Sequence, residues 1–176
     1  MQKNLKKDLE VKYIDIFKKL YTQWNLQAKK KYEELQNKGI ANSGILVNAM
    51  YLKIEELINN AISEIQQLLV DLPNKYNRKL SFDELNEYKE KSIETIEGHI
   101  NSMEKDVKEK YSKESLCIAE SNIIFINNLK YNARNRIEKI FEEIVNLRKG
   151  KKVDWLVILS FLITVAGLIV GIIALF

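Results

Sequence analysis

The stretch that decides the fold runs from Val47 to Leu72 and reads VNAMYLKIEELINNAISEIQQLLVDL. Apolar residues recur in it at steps of three and four, as on one face of an α-helix. The residues of this stripe are Val47, Met50, Ile54, Leu57, Ile58, Ala61, Ile62, Ile65, Leu68 and Leu69. A helix with so dense a stripe needs other helices to cover it, so we expect a helical bundle.

Weaker signals on either side of this stretch predict where the neighbouring helices begin and end. An amphipathic stripe from Leu5 to Leu35 predicts a first helix, with Gly39 as its left-handed cap. Pro73 is expected to close the second helix and to open a polar loop that reaches Lys79. The few Gly and Pro residues of the chain favour long helices throughout.

Two further apolar stripes follow this loop. Ser81 with Glu84 three residues later is a capping-box sequence, which predicts the start of a third helix. A fourth stripe runs from Leu116 to Leu147. Neither Gly nor Pro separates the last two stripes, so two readings are open: a turn near residue 112, or one long coiled-coil helix over residues 81–147. Four segments of matched length favour the turn and an up-down-up-down bundle.

The run from Val153 to Phe176 is apolar and long enough for a bilayer. As a helix, its residues from Trp155 onward would extend roughly 33 Å. Basic residues precede it, namely Arg148, Lys149, Lys151 and Lys152. The positive-inside rule then predicts a single-pass, tail-anchored membrane protein with a cytoplasmic N-terminus, in the inner membrane if the source is bacterial.

The expected fold is therefore all-α. A long-helix antiparallel bundle of about four helices continues into one C-terminal transmembrane helix. The predicted domains are a cytoplasmic helical bundle over residues 1–147, a basic juxtamembrane junction over residues 148–152 and a transmembrane helix over residues 153–176.

Small residues of the apolar run fall on one helical face. They are Ser160, Thr164, Gly167, Gly171 and Ala174, and Gly167 with Gly171 forms a GxxxG pair. Such a face lets two helices approach closely, which predicts a homo-oligomer held together in the membrane. Asp154 lies just inside the start of the run. In an oligomer it would repeat as a ring of carboxylates, as at the mouth of a cation pore.

A second basic cluster lies between the second and third helices. It consists of Lys75, Arg78 and Lys79. In an up-down-up-down bundle this loop and Arg148–Lys152 share one end. We therefore expect both clusters to contact an anionic membrane surface.

Histidine and cysteine, which carry much of protein catalysis and metal binding, are scarce in this chain. His99 is the one histidine of the chain and Cys117 the one cysteine, so histidine-based metal clusters and nucleophile–histidine pairs cannot be built. No glycine-rich phosphate loop is present. The sequence predicts a protein that is not an enzyme, with no catalytic residues, metal or cofactor. Interleaved acids and only four Arg argue against nucleic-acid binding.

Two functions fit these patterns. In the first, the membrane helices cluster and permeabilise or depolarise the bilayer, while the cytoplasmic bundle acts as a sensor or assembly domain. This layout resembles in outline the small single-span bacterial effectors of antiphage and toxin systems. In the second, the protein is a non-enzymatic tether or adaptor that recruits a protein partner through its helical bundle. The expected partners are the lipid bilayer and further copies of the chain.

Overall fold

The computed structural model describes residues 2–40, 44–111 and 123–147. These ranges contain four helices and no strand, so the all-α prediction is confirmed for them. Helix α1 spans Gln2–Asn37, α2 spans Gly44–Lys75 and α3 spans Phe82–Asp106. One π-helical turn, Val107–Tyr111, extends α3. Residues 123–147 form helix α4.

The chain divides into two compact units, Met1–Ile140 and Phe141–Phe176. The bundle discussed below belongs to the first unit, which contains α1, α2, α3 and most of α4. In the second unit, the structure describes residues 141–147, which are helical.

Two polar contacts at different levels along α1 and α2 show that these helices are antiparallel. The Lys19 ammonium lies 2.5 Å from the Glu64 carboxylate, and the Tyr76 hydroxyl donates to Asp8. Helices α3 and α4 are also antiparallel. Arg134 contacts Glu97 at 2.8 Å, whereas the earlier Lys130 lies 4.0 Å from the later Glu104. This pairing excludes one continuous helix over residues 81–147, and the predicted reversal of the chain is confirmed.

Two other pairs of helices, α1/α3 and α2/α4, are parallel. In α1 and α3, Tyr13 contacts Ser92, and further along both helices Trp24 contacts Asp106. In α2 and α4, the Tyr51 ring lies 5.9 Å from the Phe125 ring, and Arg136 donates to Asn59 at 2.7 Å. The four helices of Met1–Ile140 therefore alternate in direction, as an up-down-up-down bundle requires.

The predicted stripe of α2 lies at the centre of this bundle. Ile54, Ile58 and Ile62 have no exposed surface, and Trp24 of α1 is 1% exposed. Burying an aliphatic side chain of this size stabilises the fold by roughly 1.5–3 kcal/mol. Lys130 interrupts the apolar stripe of α4, and its ammonium group reaches Glu104 of α3.

Local signals account for most of the helix ends. Gly39 has a φ of 72°, and the Gly39 and Ile40 amides donate to Gln36 and Leu35, as in a Schellman motif. This confirms the predicted cap of α1. The predicted end of α2 at Pro73 is wrong, because the helix continues to Lys75. Pro73 removes one amide donor from the helix, and α2 still continues for two more residues. It ends at Lys75, shortly before Asn77, which has a left-handed φ of 46°.

Candidate functional site

The proposed transmembrane site lies outside the described residues. This applies to the small-residue face (Ser160, Thr164, Gly167, Gly171, Ala174), to Asp154 and to the basic junction (Arg148, Lys149, Lys151, Lys152). Among the helices that the structure describes, none is both long and apolar enough to cross a membrane. Those described helices also bring together no cluster of His, Cys, Asp or Glu that could hold a metal ion.

The second basic cluster occupies the turn between α2 and α3. Lys75 and Lys79 are exposed, whereas Arg78 is partly buried and donates to Glu84 at 3.0 Å. The turn is tied to the start of α1 through the hydrogen bond from Tyr76 to Asp8. The structure thus places this turn and the start of α1 at the same end of the bundle.

The carboxylate of Glu84 holds this turn in place. Ser81 Oγ accepts from the Glu84 amide at 3.1 Å, and Glu84 Oε2 accepts from the Ser81 amide at 2.8 Å. This reciprocal pair is the predicted capping box. The hydrogen bond from the Ser81 amide is the main reason why the pKa of Glu84 lies below its ordinary value.

Acidic residues reduce the positive charge at this end of the bundle. Glu84 faces Arg78, and Glu87 lies 3.7 Å from Lys6 of α1. These acids lie in the first two turns of α3, where their negative charge interacts favourably with the positive end of the helix dipole. Lys75 and Lys79 remain exposed at this end of the bundle.

A cleft lies between α1 and α3. Its volume is about 580 Å³, within the range of small-molecule sites. We call it the α1/α3 cleft. Its lining residues are Tyr13, Ile14, Phe17, Lys18, Tyr21 and Thr22 of α1, with Lys91, Thr95 and His99 of α3.

Aromatic rings form much of the wall of the α1/α3 cleft. The Phe17 and His99 rings are stacked in parallel planes with centroids 5.2 Å apart. The Tyr13 ring packs edge-on against Phe17 at 5.0 Å. Burial lowers the pKa of His99 from its ordinary value of 6.5, so its imidazole is neutral at pH 7.

Both charged residues of the lining are lysines. The Lys91 ammonium lies 5.3 Å from the centroid of the Tyr13 ring and 3.9 Å from the Glu10 carboxylate. Lys18 has no carboxylate partner within the described ranges. The hydroxyls of Thr22 and Thr95 donate to the carbonyls of Lys18 and Lys91. The positive charge that faces the cleft is therefore not balanced by any acid of the lining itself.

A buried polar chain lies behind the cleft. The Tyr13 hydroxyl donates to Ser92 Oγ at 3.1 Å, and Ser92 Oγ donates to the Tyr88 carbonyl at 2.6 Å. The hydroxyl of Tyr88 is buried without a hydrogen-bond partner in the part of the chain that the structure describes. Desolvation raises the pKa of Tyr13, and it is also the main cause that raises the pKa of Tyr88 to about 12.

The sequence pattern did not predict this cleft. The His99 side chain in its wall is half-buried and stacks on Phe17. One signal was present: Ile14 and Tyr21 are apolar residues off the core stripe of α1, seven positions apart on one face. Their side chains are 47% and 44% exposed.

Relatives provide no independent assignment of this site. Comparisons with protein-family models, with curated proteins and with solved structures found no match to this chain.

Proposed function

We propose that this protein is a non-enzymatic, membrane-anchored effector that assembles through Val153–Phe176 and permeabilises or depolarises the bilayer. The helical bundle over residues 1–147 serves as its sensor and assembly domain. In this proposal the bundle lies on the cytoplasmic side, because Arg148–Lys152 favours that side by the positive-inside rule.

The observation that carries the proposal is the pattern within the apolar run. Five small residues share one face, and Gly167 and Gly171 allow two helix backbones to come into contact. A single helix cannot conduct ions, but several such helices can surround an opening. Asp154 would then line its mouth with a ring of carboxylates, which attracts cations.

The direction of the helices in the bundle is consistent with this arrangement. Within Met1–Ile140, α4 runs parallel to α2, toward the end where Lys75 and Lys79 are exposed. Two exposed lysines at that end suit an anionic leaflet, where each contributes about 1 kcal/mol.

Leakage from vesicles tests this proposal. The full-length chain is reconstituted into anionic liposomes loaded with a potassium-sensitive dye. We expect flux that is lost in the Gly167→Ile/Gly171→Ile variant, together with a smaller oligomer in mild detergent. The matched control is Ile169→Leu/Ile172→Leu, which changes the opposite face and should retain flux. Absence of flux from the unaltered protein would refute the proposal.

A tether or adaptor is the second candidate, and the large apolar side chains that the bundle exposes outside the α1/α3 cleft, such as Leu26 and Leu52, favour it. An adaptor needs a receptive surface on its bundle and does not need a conducting membrane segment. A monomer in detergent that causes no leakage, and that functions when another anchor replaces Val153–Phe176, would support this candidate.

A further inference from the structure

Two contacts between α1 and α3 limit the α1/α3 cleft along the helix axes. Glu10 and Lys91 join the helices at one end, 3.9 Å apart. At the other end, Trp24 Nε1 donates to Asp106 Oδ2 at 3.0 Å. From Glu10 to Trp24, α1 rises about 21 Å. The cleft is thus a site of limited length, which suits a compact ligand better than a long partner helix.

The lining of the cleft requires an occupant with an apolar body. Ile14 and Tyr21 expose apolar surface at its rim, and the Phe17–His99 stack forms a flat wall. The hydroxyls of Thr22 and Thr95 donate to carbonyls of their own helices. Contact with this surface would remove apolar area from water, which is the main source of affinity for such a ligand.

The charge of the lining requires an anionic group on the same occupant. Lys18 and Lys91 are its charged residues, and no acid belongs to the lining. Lys91 is already in contact with Glu10, whereas Lys18 has no carboxylate partner within the described ranges. Lys18 is therefore the residue that is ready to pair with a negative ligand.

We propose that the α1/α3 cleft binds an apolar monocarboxylate. Its hydrocarbon chain would lie against Ile14 and the Phe17–His99 stack, and its carboxylate would pair with Lys18. A volume of about 580 Å³ accommodates a chain of medium length. Binding would be the input signal of the bundle, and this last part rests on the proposed function.

Three ligands with the same chain length test the charge requirement. Decanoate, decanol and decylamine are titrated into the full-length protein in nanodiscs by calorimetry, with empty nanodiscs subtracted. Decanoate should bind at least about tenfold more tightly than either of the other two, because it alone gains a charge-assisted contact. Equal binding of decanol or decylamine would overturn the proposal.

Variants locate the site. Lys18→Ala should weaken decanoate binding about tenfold, whereas Lys12→Ala, an exposed lysine of α1 outside the lining, should leave it unchanged. Ile14→Glu places a carboxylate at the exposed rim, where it disturbs the core little and should abolish binding. Unchanged affinity in Lys18→Ala or Ile14→Glu would overturn the assignment of the cleft.

Hydrogen exchange gives a second readout and separates this proposal from the proposed function. Decanoate should slow amide exchange in residues 13–22 and 91–99, and the absence of slowing there would contradict binding at the cleft. Decanoate binding without vesicle leakage would leave the site intact and refute the membrane-acting function. Leakage without decanoate binding would support the membrane-acting function and refute the proposed ligand site.

Discussion

Replacing Glu84 with alanine removes the carboxylate that holds the turn between α2 and α3. In the folded protein, Glu84 Oε2 accepts from the Ser81 amide at 2.8 Å, and Glu84 Oε1 accepts from Arg78 at 3.0 Å. Its side chain is 22% exposed, so water competes only partly for these contacts. Both contacts vanish in Glu84→Ala, while the hydrogen bond from the residue 84 amide to Ser81 Oγ can remain.

The size of the loss follows from these contacts. A hydrogen bond to a charged acceptor contributes roughly 1.5–3 kcal/mol, and a partly exposed ion pair adds about 0–1 kcal/mol. We expect the free energy of unfolding to fall by about 2 kcal/mol at pH 7. For a chain of this size, that lowers Tm by roughly 4–8 °C. Circular dichroism at 222 nm, on the full-length protein in a mild nonionic detergent, measures this change.

The effect should depend on pH. The pKa of Glu84 is lowered in the folded state, so its contribution is complete above the unfolded pKa of about 4.3. The contribution is lost as the pH falls through the lower folded pKa. The difference in Tm between Glu84→Ala and the unaltered protein should therefore shrink in acid.

Glu87→Ala is the matched control, one turn further along α3. Glu87 is 61% exposed and lies 3.7 Å from Lys6, so its removal should change stability by less than about 0.5 kcal/mol. The reasoning about the turn would be refuted if Glu84→Ala and Glu87→Ala had equal effects, or if the loss in Glu84→Ala were undiminished in acid.

Three further variants test other parts of the bundle. Lys75→Glu/Lys79→Glu should remove the slowing of amide exchange at the α2–α3 turn that we expect in anionic, relative to zwitterionic, nanodiscs; a persisting difference would argue against lipid contact. Tyr13→Phe should lower the free energy of unfolding by about 1 kcal/mol in thermal melts, because Ser92 Oγ loses the hydrogen bond that the Tyr13 hydroxyl donates to it. Tyr88→Phe should match or raise Tm, since the buried Tyr88 hydroxyl has no partner in the described ranges. The pKa of Tyr88 is raised to about 12, so above about pH 10 this residue ionises more readily in the unfolded chain and the fold loses stability toward pH 12. Tyr88→Phe should therefore flatten the alkaline fall in Tm, and a lower Tm at neutral pH would contradict this reasoning.

Features that depend on a few neighbouring residues could be predicted from the sequence. Gly39 caps α1 because a left-handed residue costs glycine little, and Ser81 caps α3 because its hydroxyl meets an amide three residues later. Pro73 misled the prediction for α2. The helix continues past the proline and ends at Lys75, two residues before the left-handed Asn77.

The α1/α3 cleft could not be predicted, because it depends on how two helices are rotated against each other. The stripe of α1 correctly placed Phe17 in the core, but it does not reveal that His99 of α3 stacks on that ring. The balance of charges at the α2–α3 end of the bundle could likewise not be predicted from the sequence alone. Glu84 and Glu87 belong to the predicted third helix, and only the fold brings them beside Arg78 and Lys6.

The pairing of α1 with α3 also limits when the cleft can exist. The contacts between Tyr13 and Ser92 and between Trp24 and Asp106 join residues 79 and 82 positions apart in the chain. Closing a loop of this length costs chain entropy, and the cleft has both of its walls only when α1 and α3 are paired. Any ligand of the cleft therefore binds the folded bundle and not the unfolded chain, so its binding shifts the folding equilibrium toward the native state.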